Sequence, residues 1–283
     1  MTILEQRRAL RDALTAAPAS VGIHDAAVEA DGILCYVLGV EPGKLLCNGA
    51  QELPDALYRQ AQALLARRLC GEPLQYLIGS ADFFGLSFLV SPGVLIPRAD
   101  SEVLVEEALA EPFLGPVYDV CCGSGCLLLS ILSYRKEMQG TGIDFSNVAL
   151  SVARENGARL GLADRVCWMQ WDVLADELPI EPTDLILCNP PYIPSAMCAM
   201  LDQTVLQEPM LALDGGEDGL RFYRILLPRL LKLLRPGGRL LFEIGSEQAD
   251  ALKALAKGLP LTMYVRRDYG GRDRAVIFTK KQT

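Results

Sequence analysis

The sequence predicts an α/β fold, in which a small N-terminal helical domain precedes a doubly wound, mostly parallel, seven-stranded Rossmann-like sheet. Two observations lead to this prediction. Residues 1–78 carry helical patterns almost throughout, and from Ser101 onward short apolar runs alternate with helical segments. Such alternation is typical of parallel sheets, because a helical crossover must return the chain to the same edge before the next strand begins.

Helical segments define the first domain. We expect helices over residues 3–16, 25–39 and 54–70, and the last of these begins at Pro54, a favoured first-turn residue, and stops at Gly71. This part of the chain contains no recognisable catalytic constellation. It is therefore expected to pack on, or recognise, something else.

A change to strand character separates the two domains. Two apolar runs on either side of Gly85 predict a β-hairpin. The expected organisation is a helical bundle over residues 1–78, a β-hairpin linker over 79–98 and a larger α/β domain over 99–283.

The larger domain contains the strands and helices of the predicted sheet. The expected strands are 117–120, 141–143, 166–169, 185–188, 239–244, 262–265 and 275–279. The expected helices are 125–134, 146–161 and 219–234, with one more before the last two strands, which form a hairpin.

Composition narrows the class of protein. The 283 residues include no apolar run near the ~18 residues that a membrane-spanning helix requires. A net charge of −8 disfavours a non-specific nucleic-acid binder, which needs a basic surface. Nine scattered cysteines without zinc-ligand spacing, and no signal peptide, predict a soluble cytoplasmic protein with reduced thiols and no metal.

Four successive strand ends carry groups suited to a nucleoside ligand. The first strand runs into Asp119-Val120-Cys121-Cys122-Gly123-Ser124-Gly125, whose glycines let the backbone approach a ligand closely. Asp144 ends the second strand, where a carboxylate can accept both ribose hydroxyls. Asp172 and Val173 follow the third, placed to accept an adenine amino proton and to cover a ring face, and Asn189 follows the fourth.

The glycine loop also indicates which cofactor binds there. A dinucleotide pyrophosphate favours Gly-x-Gly-x-x-Gly, but Gly125 is followed by Cys126-Leu127-Leu128 without the third glycine. S-adenosylmethionine carries no phosphate, and its positively charged sulfur suits an acidic cleft. The expected cofactor is therefore S-adenosylmethionine, with S-adenosylhomocysteine as its product.

The tetrapeptide Asn189-Pro190-Pro191-Tyr192 follows the apolar run 185–188. The Asn189 side-chain oxygen and the Pro190 carbonyl can accept both N–H groups of a planar amide or amino group, which frees the nitrogen lone pair from conjugation. Two consecutive prolines stiffen the loop, and Tyr192 offers a flat face to a flat substrate. The alternative is a rigid turn without chemistry.

Several motifs occur in a fixed order along most of the chain. They are Gly71-Glu72-Pro73, Phe83-Phe84, Ser91-Pro92, Ile96-Pro97-Arg98, the glycine loop, Asp144, Asp172, Asn189 to Tyr192, Glu208-Pro209, Gly215-Gly216, Asp218-Gly219, Arg235 to Gly238 and Gly270 to Arg274. On these motifs the chain resembles the N5-glutamine methyltransferases of peptide-chain release factors, the PrmC/HemK family. The match is densest after Gly71.

The resemblance implies a substrate and a set of roles. The substrate would be the glutamine of the Gly-Gly-Gln loop in class-1 release factors, whose methylation supports translation termination. Asn189, Pro190 and Tyr192 would be catalytic, and Pro191 would join them in binding the substrate. Residues 99–283 would form the S-adenosylmethionine-dependent methyltransferase domain, and residues 1–78 would recognise the release factor.

One part of the glycine loop departs from the family. Cys121 stands where the family usually has glycine, and Cys122 where it has a small polar residue. If the backbone of Cys121 has positive φ, strain of about 1 kcal/mol is expected. A degenerate site and a redox role for the two thiols are the alternatives.

Other residues have two possible roles each. Asp119 is expected to bond to the glycine loop or to the cofactor amine. Arg98 either contacts the cofactor carboxylate or forms a structural ion pair, and Glu208 either shapes the substrate entrance or is a solvated loop carboxylate. Phe83 and Phe84 either cover the cofactor or belong to the core.

Rival functions remain open from the sequence. The same tetrapeptide serves adenine-N6 methyltransferases of nucleic acids, which also need a base-recognition region and a basic channel. A glutamine methyltransferase of a ribosomal protein would carry similar motifs, and a non-catalytic module could keep the fold alone.

The expected partner is a class-1 release factor, with no direct DNA or membrane binding, and the protein is expected to be a monomer.

Overall fold

The computed structural model describes residues 1–113, 115–175 and 179–282. The chain forms two compact units. The first comprises Met1–Ser80 together with Met200–Glu208, and the second comprises Ala81–Ala199 together with Pro209–Thr283. In the part that the structure describes, no helix is both long and apolar enough to cross a membrane.

The first unit contains helices at the three predicted positions and three shorter helices that were not predicted. Its helices are α1 (Ile3–Thr15), α2 (Ala26–Leu38), α3 (Pro42–Cys47), α4 (Asp55–Leu69), α5 (Leu74–Ile78) and the short α10 (Gln203–Leu206). The side chain of Thr2 and that of Glu5 form a capping box that starts α1, and Asp25 caps α2. The fully buried side chains of Leu10, Ile33 and others form its core.

The predicted hairpin is present, with β1 (Ser80–Phe83) paired to β2 (Leu86–Leu89). Phe84 and Gly85 form its turn, both with positive φ, and the Phe84 N–H donates to a Glu102 carboxylate oxygen at 2.8 Å. Phe83 is 1% exposed in the core of the second unit, and Phe84 packs against that core. Both rings therefore belong to the core, and the alternative that they cover the cofactor is wrong.

The second unit contains the predicted sheet, and the fold class is confirmed. Its strands are β3 (Val117–Val120), β4 (Gly140–Asp144), β5 (Val166–Gln170), β6 (Thr183–Cys188), β7 (Leu234–Glu243), β8 (Leu261–Arg267) and β9 (Asp273–Lys280). They are ordered β5-β4-β3-β6-β7-β9-β8. The strands β5, β4, β3, β6 and β7 are parallel to their neighbours in this order, and β9 runs antiparallel to both β7 and β8.

The helices of the second unit are α6 (Glu102–Ala110), α7 (Cys126–Tyr134), α8 (Asn147–Arg159), α9 (Ser195–Cys198), α11 (Arg221–Leu233) and α12 (Ala249–Leu255). The largest difference from the predicted strands is in β7, which begins five residues earlier than expected. Thr183 pairs with Leu234 but Leu185 pairs with Arg239, so the residues between them form a bulge. Gly237 supplies the positive φ that this bulge contains.

Side-chain alternation along β6 shows why the sheet is covered on both faces. Leu185 and Leu187 lie in one buried cluster, whereas Ile186 and Cys188 lie in another on the opposite face. The parallel register places Val120, Ile143 and Cys188 side by side at the carboxyl ends of three strands. The loops that follow these strands must therefore emerge together at one edge of the sheet.

Replacing Gly142 with alanine tests how tightly β4 packs. A Cβ at this position would lie 2.3 Å from Cζ3 of the Trp168 ring, whereas a Cβ at Gly43 in α3 would meet no atom within 4 Å. We expect Gly142→Ala to lower the free energy of unfolding by about 1–3 kcal/mol through overpacking. Gly43→Ala should raise it by about 0.5–1 kcal/mol because glycine is unfavourable inside a helix. Urea titrations of both variants measure this, and equal changes would refute the packing argument.

Candidate active site

A cavity of about 490 Å³ lies in the second unit, at the carboxyl ends of the parallel strands. Its wall is formed by the loop after β3, the end of β4, the segment after β5, the loop after β6, and residues 93–98 and 209–212. Nine residues predicted to bind cofactor or substrate line it: Cys121, Cys122, Gly123, Ser124, Asp144, Asp172, Val173, Asn189 and Pro191.

The other predicted site residues lie just behind this wall. Asp119 is fully buried below the glycine loop, where its Oδ2 accepts the N–H of Leu128 at 3.3 Å. Gly125 precedes α7, and Pro190 is buried. Tyr192 is partly buried, and its hydroxyl donates to Glu243.

The glycine loop takes its shape from three residues with positive φ. Cys121 has φ 63°, Gly123 has φ 55° and Gly125 has φ 78°. A Cβ on Gly125 would lie 2.6 Å from the ring of Trp168, so only glycine fits there. A Cβ on Gly123 would meet no protein atom within 4 Å, which leaves its backbone open to a ligand. Cys121 therefore has the positive φ for which backbone strain was expected.

Asp144 links the glycine loop to the next helix. Its Oδ2 accepts the N–H of Gly123 at 2.9 Å, and its Oδ1 accepts the N–H of Ser146 at 2.8 Å. Burial raises the pKa of this carboxyl, while its bonds to backbone N–H groups oppose the rise. A carboxylate oxygen can accept more than one hydrogen bond, so Asp144 retains capacity for hydroxyl donors.

Asp172 and Val173 line the cavity from the segment after β5. The Asp172 Oδ1 accepts the N–H groups of Leu174 at 2.9 Å and Ala175 at 3.3 Å, which fixes the carboxylate in a local turn. Val173 is 6% exposed and packs into the core cluster that includes β6. The two side chains thus present one polar and one apolar surface to the cavity.

Close backbone packing holds the tetrapeptide after β6. A Cβ on Gly215 would lie 2.7 Å from the Cα of Tyr192, and a Cβ on Gly219 would lie 2.3 Å from its carbonyl oxygen. The side-chain amide of Gln248 donates to that same carbonyl at 3.0 Å. The glycines at 215 and 219 are therefore required because the loop passes directly against them.

Glu243 is a site residue that sequence reasoning missed. It ends β7, next to the strand that leads to Asn189, and is 2% exposed. The Tyr192 hydroxyl donates to its Oε1 at 3.3 Å, which fixes the ring. Burial raises the pKa of this carboxyl, against the lowering effects of the Ser101 hydroxyl and the Arg274 guanidinium. Its signal in the sequence was one acidic residue in the apolar run 240–244.

Two secondary predictions have partial outcomes. Arg98 lines the cavity, as a residue that contacts the cofactor would. Glu208 is 3% exposed, so the alternative of a solvated loop carboxylate is wrong. It belongs to the segment Met200–Glu208 of the first unit.

The polar groups around the cavity fit the positive charge of S-adenosylmethionine. Asp119 Oδ1 is buried and has no hydrogen-bond partner among the described residues, which leaves an acceptor free for an amine donor. The open backbone at Gly123 and the carboxylates of Asp144 and Asp172 add acceptors around a positively charged ligand. Across residues 1–113, 115–175 and 179–282, no group of three or more His, Cys, Asp or Glu residues could hold a metal ion.

Known proteins resemble this chain along nearly its full length. The PrmC N-terminal domain model matches residues 8–79, and the methyltransferase small domain model matches residues 97–216. The release factor glutamine methyltransferase of Moorella thermoacetica is 41% identical over 283 residues, covering 98% of this chain and 99% of that protein. The corresponding enzyme of Cereibacter sphaeroides is 40% identical over 270 residues, covering 94% and 96%.

A solved methyltransferase from Pyrococcus furiosus shares the fold, with a TM-score of 0.55 at 17% identity, covering 70% of this chain and 91% of that one. The sheet order and the cleft thus place the protein among the S-adenosylmethionine-dependent methyltransferases. Similarity over the whole chain is more specific than the fold. The chain belongs to the release factor glutamine methyltransferase family.

The pH dependence of stability tests the burial of Asp119. Burial raises the pKa of Asp119 to about 8, whereas an unfolded aspartate titrates near ~3.9. The folded protein therefore binds the proton more tightly, and the free energy of unfolding should fall as pH rises between about 4 and 8, by up to ~1.4 kcal/mol per pH unit. We expect Asp119→Asn to remove this fall in cofactor-free protein.

Denaturant titrations at a series of pH values measure the effect. The exposed residue Asp164 provides the matched control, because Asp164→Asn should retain the wild-type pH dependence. Parallel stability profiles for wild type and Asp119→Asn would show that the carboxyl is already ionised in the folded protein.

Two substitutions at Cys121 separate backbone strain from thiol chemistry. Cys121→Gly removes both the Cβ and the thiol at φ 63°, whereas Cys121→Ala removes the thiol and keeps the Cβ. We expect the glycine variant to be more stable than the alanine variant by about 1 kcal/mol, because the left-handed conformation is unfavourable for residues with a Cβ. Chemical unfolding compares the two, and an alanine variant as stable as the glycine variant would exclude backbone strain.

Proposed function

We propose that this protein transfers a methyl group from S-adenosylmethionine to the side-chain amide nitrogen, N5, of the glutamine in the Gly-Gly-Gln loop of a class-1 release factor. The observation that carries the proposal is the tetrapeptide Asn189 to Tyr192, held rigidly beside a cleft that fits the cofactor. The family of the chain agrees, since its relatives are named for release factor glutamine methylation.

The chemical difficulty of the reaction is the weak nucleophilicity of an amide nitrogen. The two N–H groups of the glutamine amide would donate to the Asn189 side-chain oxygen and the Pro190 carbonyl, which orients the nitrogen and weakens its conjugation. S-adenosylmethionine, when bound, supplies the methyl group on a positively charged sulfur and leaves as S-adenosylhomocysteine. The nitrogen keeps one hydrogen and releases its other proton to solvent. Catalysis is then mainly positioning and electrostatics.

Tyr192 provides the third element of substrate binding. Its ring would pack against the plane of the glutamine amide, and its orientation is fixed by the hydroxyl bond to Glu243 and by the Gln248 contact to its carbonyl. Because both ends of the residue are held, the loop requires little reordering when the glutamine binds. Such preorganisation favours the reaction.

The finer assignments follow from this function. We propose that the helical bundle of residues 1–78 recognises the release factor, that the hairpin over 79–98 connects it, and that residues 99–283 carry the methyl transfer. The cofactor would contact Asp119, the loop Cys121 to Gly125, Asp144, Asp172, Val173 and Asn189. The protein would act as a monomer in the cytoplasm, without direct DNA binding.

Mass spectrometry of a methylated release factor tests the proposal. A class-1 release factor is incubated with the protein and S-adenosylmethionine, beside a factor whose Gly-Gly-Gln glutamine is replaced by alanine. We expect one added methyl group on that glutamine and none in the control. Transfer to a ribosomal protein or to adenine instead would support one of the rival substrates.

The variant Asn189→Ala tests the role of the tetrapeptide. We expect kcat/KM to fall by about 10²–10³-fold, the range for loss of one preorganised polar group, in protein that circular dichroism shows to be folded. Asn48→Ala removes a half-buried asparagine from the first unit and should leave turnover unchanged. Full turnover by the folded Asn189→Ala protein would disprove the assigned role, and its loss would exclude a purely non-catalytic module.

A further inference from the structure

One polar side chain lies on the buried face of α8. The other buried residues of this helix are Ala149, Leu150, Ala153 and Gly157, and Asn156 lies among them with 1% of its surface exposed. Burying an amide is unfavourable unless its hydrogen-bonding groups find partners. The partners of Asn156 therefore show what this residue holds together.

The amide of Asn156 bonds to the backbone of two segments that are distant in sequence. Its Oδ1 accepts the Leu89 N–H at 2.7 Å, and its Nδ2 donates to the Leu89 carbonyl at 3.1 Å. Nδ2 also donates to the Ser124 carbonyl at 3.0 Å, so both N–H groups of the amide are used. All three residues belong to the second unit.

Leu89 is the last residue of β2. The N–H and the carbonyl of one strand residue point to the same side, where a residue of a neighbouring strand can bond to both. Asn156 takes the place of such a residue. The chain continues from β2 into residues 93–98, which line the cavity, and a Cβ on Gly93 would lie 3.1 Å from Cγ1 of Val148 in α8.

Ser124 belongs to the glycine loop and lines the cavity, with 2% of its surface exposed. In a continuing helix its carbonyl would accept the N–H four residues later, that of Leu128. The Leu128 N–H instead donates to the Asp119 carboxylate at 3.3 Å, and the Gly125 carbonyl accepts the next N–H. The amide of Asn156 supplies the donor that the Ser124 carbonyl requires.

Bonds to other segments hold three successive residues of the glycine loop. The Cys122 N–H donates to the Ile143 carbonyl at 3.1 Å, and the Gly123 N–H donates to the Asp144 carboxylate at 2.9 Å. Both of these partners belong to β4, whereas the Ser124 carbonyl is bonded from α8. The asparagine therefore connects the loop to a second element, and through it to the end of the hairpin.

We propose that Asn156 is a positioning residue for S-adenosylmethionine binding: its amide holds Ser124 of the glycine loop and Leu89 at the end of β2, and so fixes two parts of the cavity wall relative to each other. Asn156 is not among the described residues that line the cavity, so it acts through these backbone contacts. An effect on methylation of a release factor rests on the proposed function, but the effect on cofactor affinity does not.

The variants Asn156→Ala and Asn156→Leu test the proposal. Both remove the three hydrogen bonds, but leucine keeps a volume close to that of asparagine, whereas alanine leaves a gap. We expect each variant to raise the Kd for S-adenosylmethionine about tenfold in calorimetry, at a temperature where circular dichroism shows it to be folded. If the protein methylates a release factor, the KM for the cofactor should rise by the same factor, with kcat at saturating cofactor unchanged.

Two control variants separate positioning from stability. Asn48→Ala makes the same substitution at a half-buried asparagine of the first unit. Ile277→Ala removes a fully buried side chain from β9, a strand that contributes no described residue to the cavity wall, and lowers stability without removing either connection. Both controls should leave the cofactor Kd unchanged.

Amide exchange in the wild-type protein provides a test that needs no variant. Cofactor binding and the bond between the Leu89 N–H and Asn156 should strengthen each other, because coupling between two sites is reciprocal. We therefore expect S-adenosylmethionine to slow exchange of the Leu89 N–H about tenfold relative to the amides of β9, measured by nuclear magnetic resonance. This measurement remains decisive if the Asn156 variants do not fold.

Several results would overturn the proposal. A wild-type Kd in folded Asn156→Ala would make the residue purely structural, and a wild-type Kd in Asn156→Leu alone would show that only its volume matters. An equal rise in Kd for Ile277→Ala, or no slowing at Leu89, would do the same. If the protein binds the cofactor but methylates no release factor, the proposed substrate is wrong, and the Kd comparison still decides the role of Asn156.

Discussion

The parallel register of β4, β3 and β6 is the constraint on which the rest of the site depends. Val120 lies between Ile143 and Cys188 in neighbouring strands, so the residues that follow all three strands leave the sheet at one edge. Cys121 and Asn189, which are far apart in sequence, are thereby brought to one cavity. Burial of both faces of the sheet keeps this register fixed, because a slip by one residue would exchange the sides of β6 between its two cores.

Hydrogen bonding within the site shows how one group serves several loops. Asp144 accepts N–H groups from the glycine loop and from the start of α8, and Gln248 links the carbonyl of Tyr192 to that of Gly219. Each of these two side chains thus hydrogen-bonds to the backbone of two separate segments of the chain. The loop after β6 is consequently held by three sets of contacts: the close approach of Gly215 and Gly219, the Gln248 side chain and the Glu243 carboxylate at the tyrosine hydroxyl.

Sequence patterns predicted the sheet and nine of the residues that line the cavity because these features are local. An apolar strand followed by Asp144 or Asn189 can be recognised in a short stretch of sequence. The residue types of Asn-Pro-Pro-Tyr by themselves indicate the binding of a planar amide or amino group. The hydrogen bond from the Arg68 guanidinium to the Thr204 hydroxyl could not be predicted, since no periodicity links residues 136 positions apart. Glu243 was missed for a related reason. Its place at the site depends on the hydrogen bond from the Tyr192 hydroxyl, which the sequence around Glu243 does not indicate.

Cys121 places a thiol in the wall of the cleft. The resemblance described in the sequence analysis implies glycine at this position, but here a side chain at φ 63° lines the cofactor cavity. A sulfur atom therefore forms part of the wall. A cofactor-shaped molecule with a mild electrophile near its amino-acid portion would find a bonding partner in this protein and none in a glycine-bearing relative, so the residue that departs from the family pattern also offers a basis for chemical selectivity.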